Sequence, residues 1–144
     1  MPQSRDNPYL NFRFRVQIDN AHSAGFSEIE GLEGRIAAVA YRDGADTESV
    51  ARLLPGRVEY SNVVLRRGFA GDTELFEWWQ SVAQGNLDPR NVAIILQDEQ
   101  GKDVARWLLR RAWPTKYVGP DLRALGNEVA IETLELAHEG IELA

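Results

Sequence analysis

Hydrophobic residues recur at every second position of segment 11–19, and this alternation restricts the fold class more than any other pattern in the chain. The residues that point one way are Phe12, Phe14, Val16 and Ile18, with Arg13, Arg15 and Gln17 between them. A period of two is typical of a strand that buries one face.

Further short segments have strand character. They are 25–30, 35–41, 57–67, 91–97 and 103–110. Within 57–67 the apolar face changes across Ser61-Asn62, which we interpret as a bulge. Segments 91–97 and 103–110 are separated by a short turn and predict a hairpin. After them, Pro114 and Gly119-Pro120 predict a loop.

One segment has the spacing of a helix. Asp72 suits the N-cap and Gly85 lies where the chain should leave the helix. The predicted apolar stripe consists of Leu75, Phe76, Trp79, Val82 and Ala83. Trp78 lies off that stripe, so we expect it to be partly exposed.

Segment 127–142 is ambiguous from its residues alone. Its alanine, glutamate and leucine content favours a helix. Val129 and Ile131 alternate, as do Leu134 and Leu136, which fits a strand with one bulge. Both interpretations stay open at this point.

Length, charge and cysteine content limit the classes of protein to which the chain can belong. The chain has 144 residues and a net charge of −6, and it contains no cysteine. We expect a single domain over 1–144 that needs no disulfide or metal to fold. The negative charge argues against stable binding of nucleic acid. The amino-terminal residues have no apolar run and no segment is long enough to insert into a membrane, so we expect no membrane insertion and synthesis in the cytoplasm.

Residue patterns that support catalysis are missing from the sequence. Its two histidines, His22 and His138, have no metal-ligand spacing. There is no nucleophile elbow and no phosphate-binding loop. Glu28 and Glu30 would share one strand face and are better explained as a solvated pair. The sequence therefore predicts no enzyme activity, no cofactor and no metal site.

The segment 42–56 is unusually long for a connection between two strands. Folded back on itself it could reach roughly 25 Å at about 3.3 Å per residue, which exceeds the radius of gyration of about 15 Å expected for this size. We therefore predict an arm that contacts a neighbouring subunit. The predicted interface residues are Asp43, Gly44, Val50, Leu53, Leu54 and Pro55 in the arm, and Trp113 and Pro114 in the later loop.

Charge is distributed unevenly near the carboxyl end. Residues 124–144 hold five glutamates and no lysine or arginine. The preceding cluster of cations consists of Arg106, Arg110, Arg111, Lys116 and Arg123. This pattern fits either an ordinary solvated surface or a head-to-tail contact between copies.

Several motifs in order resemble the tube proteins of contractile tails. They are Asn7-Pro8-Tyr9 with Phe12-Arg13-Phe14, Gly25-Phe26-Ser27-Glu28 with Gly31-Leu32-Glu33, Leu54-Pro55-Gly56 with Leu65-Arg66-Arg67-Gly68, Phe76-Glu77-Trp78-Trp79, Ala112-Trp113-Pro114-Thr115-Lys116-Tyr117, and 126–140. Their order and spacing cover nearly the whole chain. The chain therefore resembles the family of inner tube proteins of phage tails, R-type tailocins and extracellular contractile injection systems.

The resemblance implies a mainly β fold, a small barrel or sandwich with one flanking helix, in which the last segment is a strand. It implies six-membered rings that stack into a hollow tube, and an arm at 42–56 that bridges to a neighbour. The implied partners are further copies of the chain, a sheath protein, a baseplate with its spike, and a capping protein. Two alternatives remain: a monomeric β-barrel that binds a small apolar ligand, and a hydrolase with a pair of carboxylates.

Overall fold

The computed structural model describes residues 5–19, 21–23, 25–42, 44 and 52–144. Within them the chain is mainly β with one helix. The elements are β1 (Phe14–Ile18), β2 (Ala21–Ser23), β3 (Phe26–Glu30), β4 (Gly34–Tyr41), β5 (Arg52–Tyr60), β6 (Val63–Gly68), α1 (Glu74–Ala83), β7 (Arg90–Gln97), β8 (Asp103–Val118), β9 (Ile131–Ala137) and β10 (Ile141–Leu143).

Eight strands form one antiparallel sheet in the order β2-β1-β7-β8-β9-β6-β3, with β10 paired to β8 beside this path. The long strand β8 pairs with β7 and β10 through its first part and with β9 through its second. We call β2, β1, β7, β10 and the first part of β8 the first sheet half, and the remainder of β8 with β9, β6 and β3 the second sheet half. The described strands do not close into a barrel, because β2 and β3 end the order without pairing to each other.

Strand β8 changes direction between the two halves. Arg111 has a φ of 50°, and the pairing register shifts near Ala112 and again between Pro114 and Lys116. The predicted loop at Pro114 is therefore wrong, because the strand continues through the proline to Val118. A proline is tolerated in a strand where the regular pairing is already interrupted.

The hydrophobic core lies between the two sheet halves and under the helix. Its fully buried members come from both halves and include Val16, Val63, Leu65, Val92, Leu109, Leu134 and Leu136. Close packing of such side chains supplies most of the stabilisation of a fold of this size. Leu75 and Trp78 join this core from α1.

The buried face of α1 differs from the predicted one. Trp78 is 2% exposed and its indole nitrogen donates a hydrogen bond to the Asp88 carbonyl at 2.8 Å, so the expectation that it is partly exposed was wrong. Phe76, which we placed in the buried stripe, is 37% exposed. The stripe is Leu75, Trp78, Trp79 and Val82. The N-cap residue is Thr73 rather than the predicted Asp72, although the Asp72 side chain accepts a hydrogen bond from the Glu74 amide at 2.9 Å.

The structure corrects the prediction for Ser61-Asn62 and decides between the two interpretations of segment 127–142. Ser61 and Asn62 do not form a bulge within one strand, because β5 pairs with β4 whereas β6 pairs with β3 and β9. The ambiguous segment 127–142 contains β9 and β10, so the strand interpretation is confirmed.

Gly31 makes the turn before β4 possible: its φ is 101°, and a Cβ there would lie 2.2 Å from the Asn62 carbonyl oxygen.

An ion pair is buried inside the second sheet half. Arg67 on β6 donates to Glu132 on β9, with 2.5 Å between Nε and Oε1, and Glu132 is 1% exposed. The Tyr117 hydroxyl on β8 donates to the other carboxylate oxygen at 2.7 Å. Burial, together with this hydrogen bond, raises the pKa of Tyr117 to about 12. The network ties three adjacent strands together.

Candidate self-assembly surfaces

Strands β4 and β5 form a separate two-stranded antiparallel hairpin. All eight residues of β4 are exposed, and Leu53 on β5 is 70% exposed. The exposed large apolar side chains of the hairpin are Ile36, Val39, Tyr41, Leu53, Leu54, Val58 and Tyr60. An isolated two-stranded hairpin is marginally stable in water, and an apolar surface of this kind typically marks an interaction site.

The motif Leu54-Pro55-Gly56 has a local structural reason. The register of the hairpin shifts between Ile36 and Ala38, opposite this motif. A Cβ at Gly56 would lie 2.7 Å from a methyl group of Val39 and 3.0 Å from the Ala37 carbonyl oxygen. The strands therefore approach too closely at the bulge for any side chain at position 56.

The structure revises where several predicted interface residues lie. Segment 42–56 is not wholly a loop, because Leu53, Leu54 and Pro55 belong to β5. Gly44 lies in a turn, while Asp43 and Val50 are outside the described residues.

Trp113 and Pro114 also lie in a strand rather than a loop. Pro114 is fully buried within the subunit and Trp113 is partly buried, which leaves the tryptophan as the accessible member of this pair.

A second exposed apolar segment escaped the sequence reasoning. In the connection 119–130, Leu122 is 83% exposed, Leu125 is 99% exposed and Val129 is 73% exposed. Leu122 and Leu125 follow the loop predicted at Gly119-Pro120 and were the available signal, whereas Val129 lay in the segment 127–142, for which a helix and a strand were both open.

The first sheet half has open strand edges on both sides. On one margin β2 pairs with Val16–Ile18, so Phe14 and Arg15 of β1 have no strand beside them among the described residues. On the other margin β10 pairs with β8 at Trp107–Leu109, so residues 103–105 are likewise unpaired there within the described chain. Unpaired backbone N–H and C=O groups at an edge invite a strand from another chain.

Some of the charged residues near the carboxyl end form ion pairs within the subunit. Arg110 lies 3.4 Å from Glu142, and Arg111 lies 2.6 Å from Glu139. Glu28 and Glu30, which we expected to be solvated, both contact Arg66, at 3.3 and 3.0 Å. These exposed pairs are weak, so they leave the charges available to a neighbour.

The described residues contain no group of side chains that could hold a metal ion. His138 has a structural role: its Nε2 lies 2.9 Å from the Ser61 carbonyl oxygen, and its Nδ1 accepts from the Gly140 amide at 3.2 Å. No helix in the described part of the chain has the length and hydrophobicity needed to cross a bilayer.

In the described part of the chain, the core between the two sheet halves is filled by side chains, which does not favour the ligand-binding barrel of the alternative hypothesis. Core side chains from both sheet halves are 0–6% exposed and pack against one another. The cleft beside α1 is an open depression bordered by Glu74, Glu77, Asp88 and Arg90 rather than an apolar cavity. Open sheet edges, an exposed apolar hairpin and a filled core together define a structural β protein that associates with other chains.

Comparison with known proteins identifies the family to which this structural β protein belongs. The family model described as T4-like virus tail tube protein gp19 matches residues 10–142. The chain belongs to this tail tube family, and its role is that of a structural tube subunit. No individually curated protein matches the sequence.

Solved structures agree with this assignment. A chain of the PVC sheath–tube complex, an extracellular contractile injection system in the extended state, matches with a TM-score of 0.86 and 26% identity over 96% of this chain and 93% of that chain. A chain of the anti-feeding prophage baseplate matches with a TM-score of 0.82 and 26% identity over 97% of each chain. Hcp1 from Flavobacterium johnsoniae shares the fold, with a TM-score of 0.55 and 13% identity over 90% of this chain and 93% of that chain.

Proposed function

We propose that this chain forms six-membered rings that stack into the hollow inner tube of a contractile tail or injection system, through which cargo or DNA is delivered. The observation that carries the proposal is the exposed hairpin of β4 and β5 attached to a sheet that is open at both margins. Head-to-tail pairing of strand edges closes a ring when a whole number of copies, each rotated by the same angle, completes a full turn. The hairpin is then the arm that reaches a neighbouring copy or ring.

The partners follow from the same proposal. The structures that this chain resembles are parts of a sheath–tube complex, a baseplate and a tube-terminating cap. We propose equivalent partners here: a sheath around the tube, a baseplate with a spike at one end and a cap at the other. Assembly would take place in the bacterial cytoplasm, and the product would be a phage tail or a released injection particle. No chemical step is needed, so we propose that the chain is not an enzyme.

The test is electron microscopy and light scattering of the purified chain over a range of concentrations. Rings of about six subunits or hollow tubes are expected. Leu53→Ser removes an apolar side chain that is 70% exposed, so it should prevent stacking without unfolding the subunit. Leu87→Ser, at a leucine that is 58% exposed outside the hairpin, is the matched control.

Removing residues 43–49 tests the tip of the arm in the same assay. We expect a folded protein that stacks poorly, and normal tubes from this deletion would contradict the role of the arm. A chain that stays monomeric at high concentration, even with a baseplate supplied to nucleate it, would overturn the proposed function.

A further inference from the structure

The hairpin of β4 and β5 is attached at its root to the two sheet halves and α1, which we call the body. Among the described strands, β4 and β5 pair only with each other. The root is closed by a hydrogen bond from the Ser61 amide to the Glu33 carbonyl oxygen at 3.1 Å. The direction of the hairpin relative to the body therefore depends on the contacts that root residues make with the body.

The imidazole of His138 lies between this root and the turn that joins β9 to β10. Its Nε2 lies 2.9 Å from the Ser61 carbonyl oxygen, and the Gly140 amide donates to its Nδ1 at 3.2 Å. The ring also packs against Tyr60 of β5, with 5.7 Å between the two ring centroids. An amide nitrogen only donates and a carbonyl oxygen only accepts, so Nδ1 carries the lone pair and Nε2 carries the hydrogen. The two partners together therefore select one neutral tautomer of the ring.

The turn that holds this imidazole is itself fixed to β8. The Glu139 amide donates to the Arg110 carbonyl oxygen at 2.8 Å, and the Arg110 amide donates to the Gly140 carbonyl oxygen at 3.0 Å. The Glu139 carboxylate lies 2.6 Å from Arg111, where β8 changes direction. These bonds hold the Gly140 amide in place relative to β8. The motif His138-Glu139-Gly140 therefore connects the root of the hairpin to the bend of β8.

A second polar contact ties the root to β9. The Asn62 side chain donates to a carboxylate oxygen of Glu135 at 2.9 Å, and this hydrogen bond is exposed. The bond between His138 and Ser61 is partly buried. Water competes for an exposed hydrogen bond and makes its net contribution small. The imidazole of His138 therefore provides the firmer attachment of the root.

The carboxylates around this turn are engaged with partners other than the imidazole. The charged or titratable groups on the elements that meet here are Tyr60 on β5, Glu135 on β9, Glu139 in the turn, Glu142 on β10, and Arg110 and Arg111 on β8. Glu139 is paired with Arg111 and Glu142 with Arg110, while Glu135 accepts from Asn62. The hydrogen-bond partners of the imidazole are the Ser61 carbonyl and the Gly140 amide. An added positive charge on the ring would therefore have no carboxylate hydrogen-bonded to it among the described residues.

We infer that His138 is a positioning residue that fixes the direction of the hairpin, and that protonation of its ring loosens the hairpin and disfavours assembly. The link to assembly rests on the proposed function. A proton added at Nδ1 would point at the Gly140 amide, so two donors would face each other. Because the ring is rigid and the turn is held by β8, the ring must shift, and its contacts with Ser61 and Tyr60 shift with it. Histidine ordinarily changes charge between about pH 5 and 8, so the hairpin is fixed at the upper end of this range and loosened towards the lower end.

The distance between two spin labels measures the direction of the hairpin, and labels can be placed at will because the chain has no cysteine. One label is attached at Ile36→Cys on β4 and the other at Gln80→Cys on α1, both exposed positions. Subunits are diluted until light scattering shows monomers, and distances are compared at about pH 8 and about pH 5.5, the latter still above the isoelectric point of about 4.9. We expect one narrow distance distribution at the higher pH. At the lower pH a second population should appear, with the ratio of the two changed by about fivefold, the factor for one net hydrogen bond.

Two variants assign this response to one histidine. His138→Gln keeps a donor for the Ser61 carbonyl and does not titrate, so its distribution should stay narrow at both pH values. His22→Gln is the matched control, because it replaces the other histidine of the chain and should respond as the parent chain does. A parent distribution that does not change with pH, or a response that persists in His138→Gln, overturns the inference.

Sedimentation of assembled tubes at the same two pH values tests the consequence for assembly. The yield of parent tubes should fall by about fivefold at the lower pH, whereas His138→Gln should give equal yields. His138→Phe keeps a ring beside Tyr60 but loses both hydrogen bonds, so its yield should be low at both pH values while its urea midpoint shows a folded body. Equal yields from the parent chain, or normal tubes from His138→Phe, would refute control of assembly by this residue. Failure of the parent chain to form tubes at either pH overturns the proposed function instead, and the distances measured on monomers still decide whether His138 positions the hairpin.

Discussion

Replacing Glu132 by glutamine probes the buried network of the second sheet half. Glu132 is 1% exposed and Arg67 is 8% exposed, so the substitution leaves a guanidinium charge in the interior without its main counter-charge. Breaking a buried ion pair from one side costs about 3–5 kcal/mol. Asp72 remains 3.9 Å from Arg67, but its side chain is 51% exposed and it replaces little of the lost interaction. We therefore expect a loss near 3 kcal/mol, at the lower end of that range.

Two companion variants separate charge from packing. Tyr117→Phe removes one hydrogen bond to a carboxylate and leaves the ion pair, so it should cost about 1.5 kcal/mol. The double variant Arg67→Met with Glu132→Leu removes both charges and keeps most of the volume. Because apolar replacement of a buried pair is often neutral, the double variant should be more stable than Glu132→Gln.

Urea denaturation of unassembled subunits, followed by tryptophan fluorescence, measures all three variants. With an m value of roughly 2 kcal/mol/M, Glu132→Gln should lower the midpoint by roughly 1.5 M. The reasoning is refuted if the double variant is as unstable as Glu132→Gln, because the cost would then come from lost volume or hydrogen bonds rather than from an unpaired charge.

Three further predictions follow from the structure. The pKa of Tyr117 is raised to about 12, against 10.0 in the unfolded chain. The contribution of this hydroxyl to stability is therefore complete below pH 10 and is lost as the pH rises towards 12. Tyr117→Phe should flatten the decline in the urea midpoint over that pH range. Trp78→Ala should lower the free energy of unfolding by about 3–5 kcal/mol, and Phe76→Ala should lower it clearly less, because Trp78 is buried and Phe76 is partly exposed. Equal losses of stability would contradict the assigned buried face of α1. Gly31→Ala should lower the thermal midpoint sharply, since its Cβ would collide with a backbone carbonyl and its φ is positive, and an unchanged midpoint would disprove the tight turn.

Several elements could be predicted from the residues themselves. The alternation around Val16 and Ile18 predicted β1 and its buried face, and the pattern at 91–97 and 103–110 predicted the β7–β8 hairpin. Asp72 predicted the start of α1 to within one residue of its N-cap, Thr73. In each case the determining interactions are local, because a strand or a cap needs only neighbouring residues to express its pattern.

Other features depended on partners that are distant in the chain. Trp78 is buried because the core and the Asp88 carbonyl lie on its side of the helix, which helical spacing alone does not reveal. Pro114 lies inside a strand because β8 bends between two sheet halves there. The propensity of 127–142 favoured a helix, yet β9 fills the place between β6 and β8, and tertiary pairing overrides a weak local preference.

By itself, the sequence determined the mainly β class, the single helix, the absence of recognisable catalytic motifs and, through the order of its motifs, the resemblance to tail tube proteins. Only the tertiary structure decided that β4 and β5 form a two-stranded hairpin exposed on both strands. It also brought Arg67 and Glu132 together as a buried ion pair. The physical reason is that alternation assigns residues to opposite faces of a strand, whereas the pairing of distant strands decides which face is buried and which charges lie side by side.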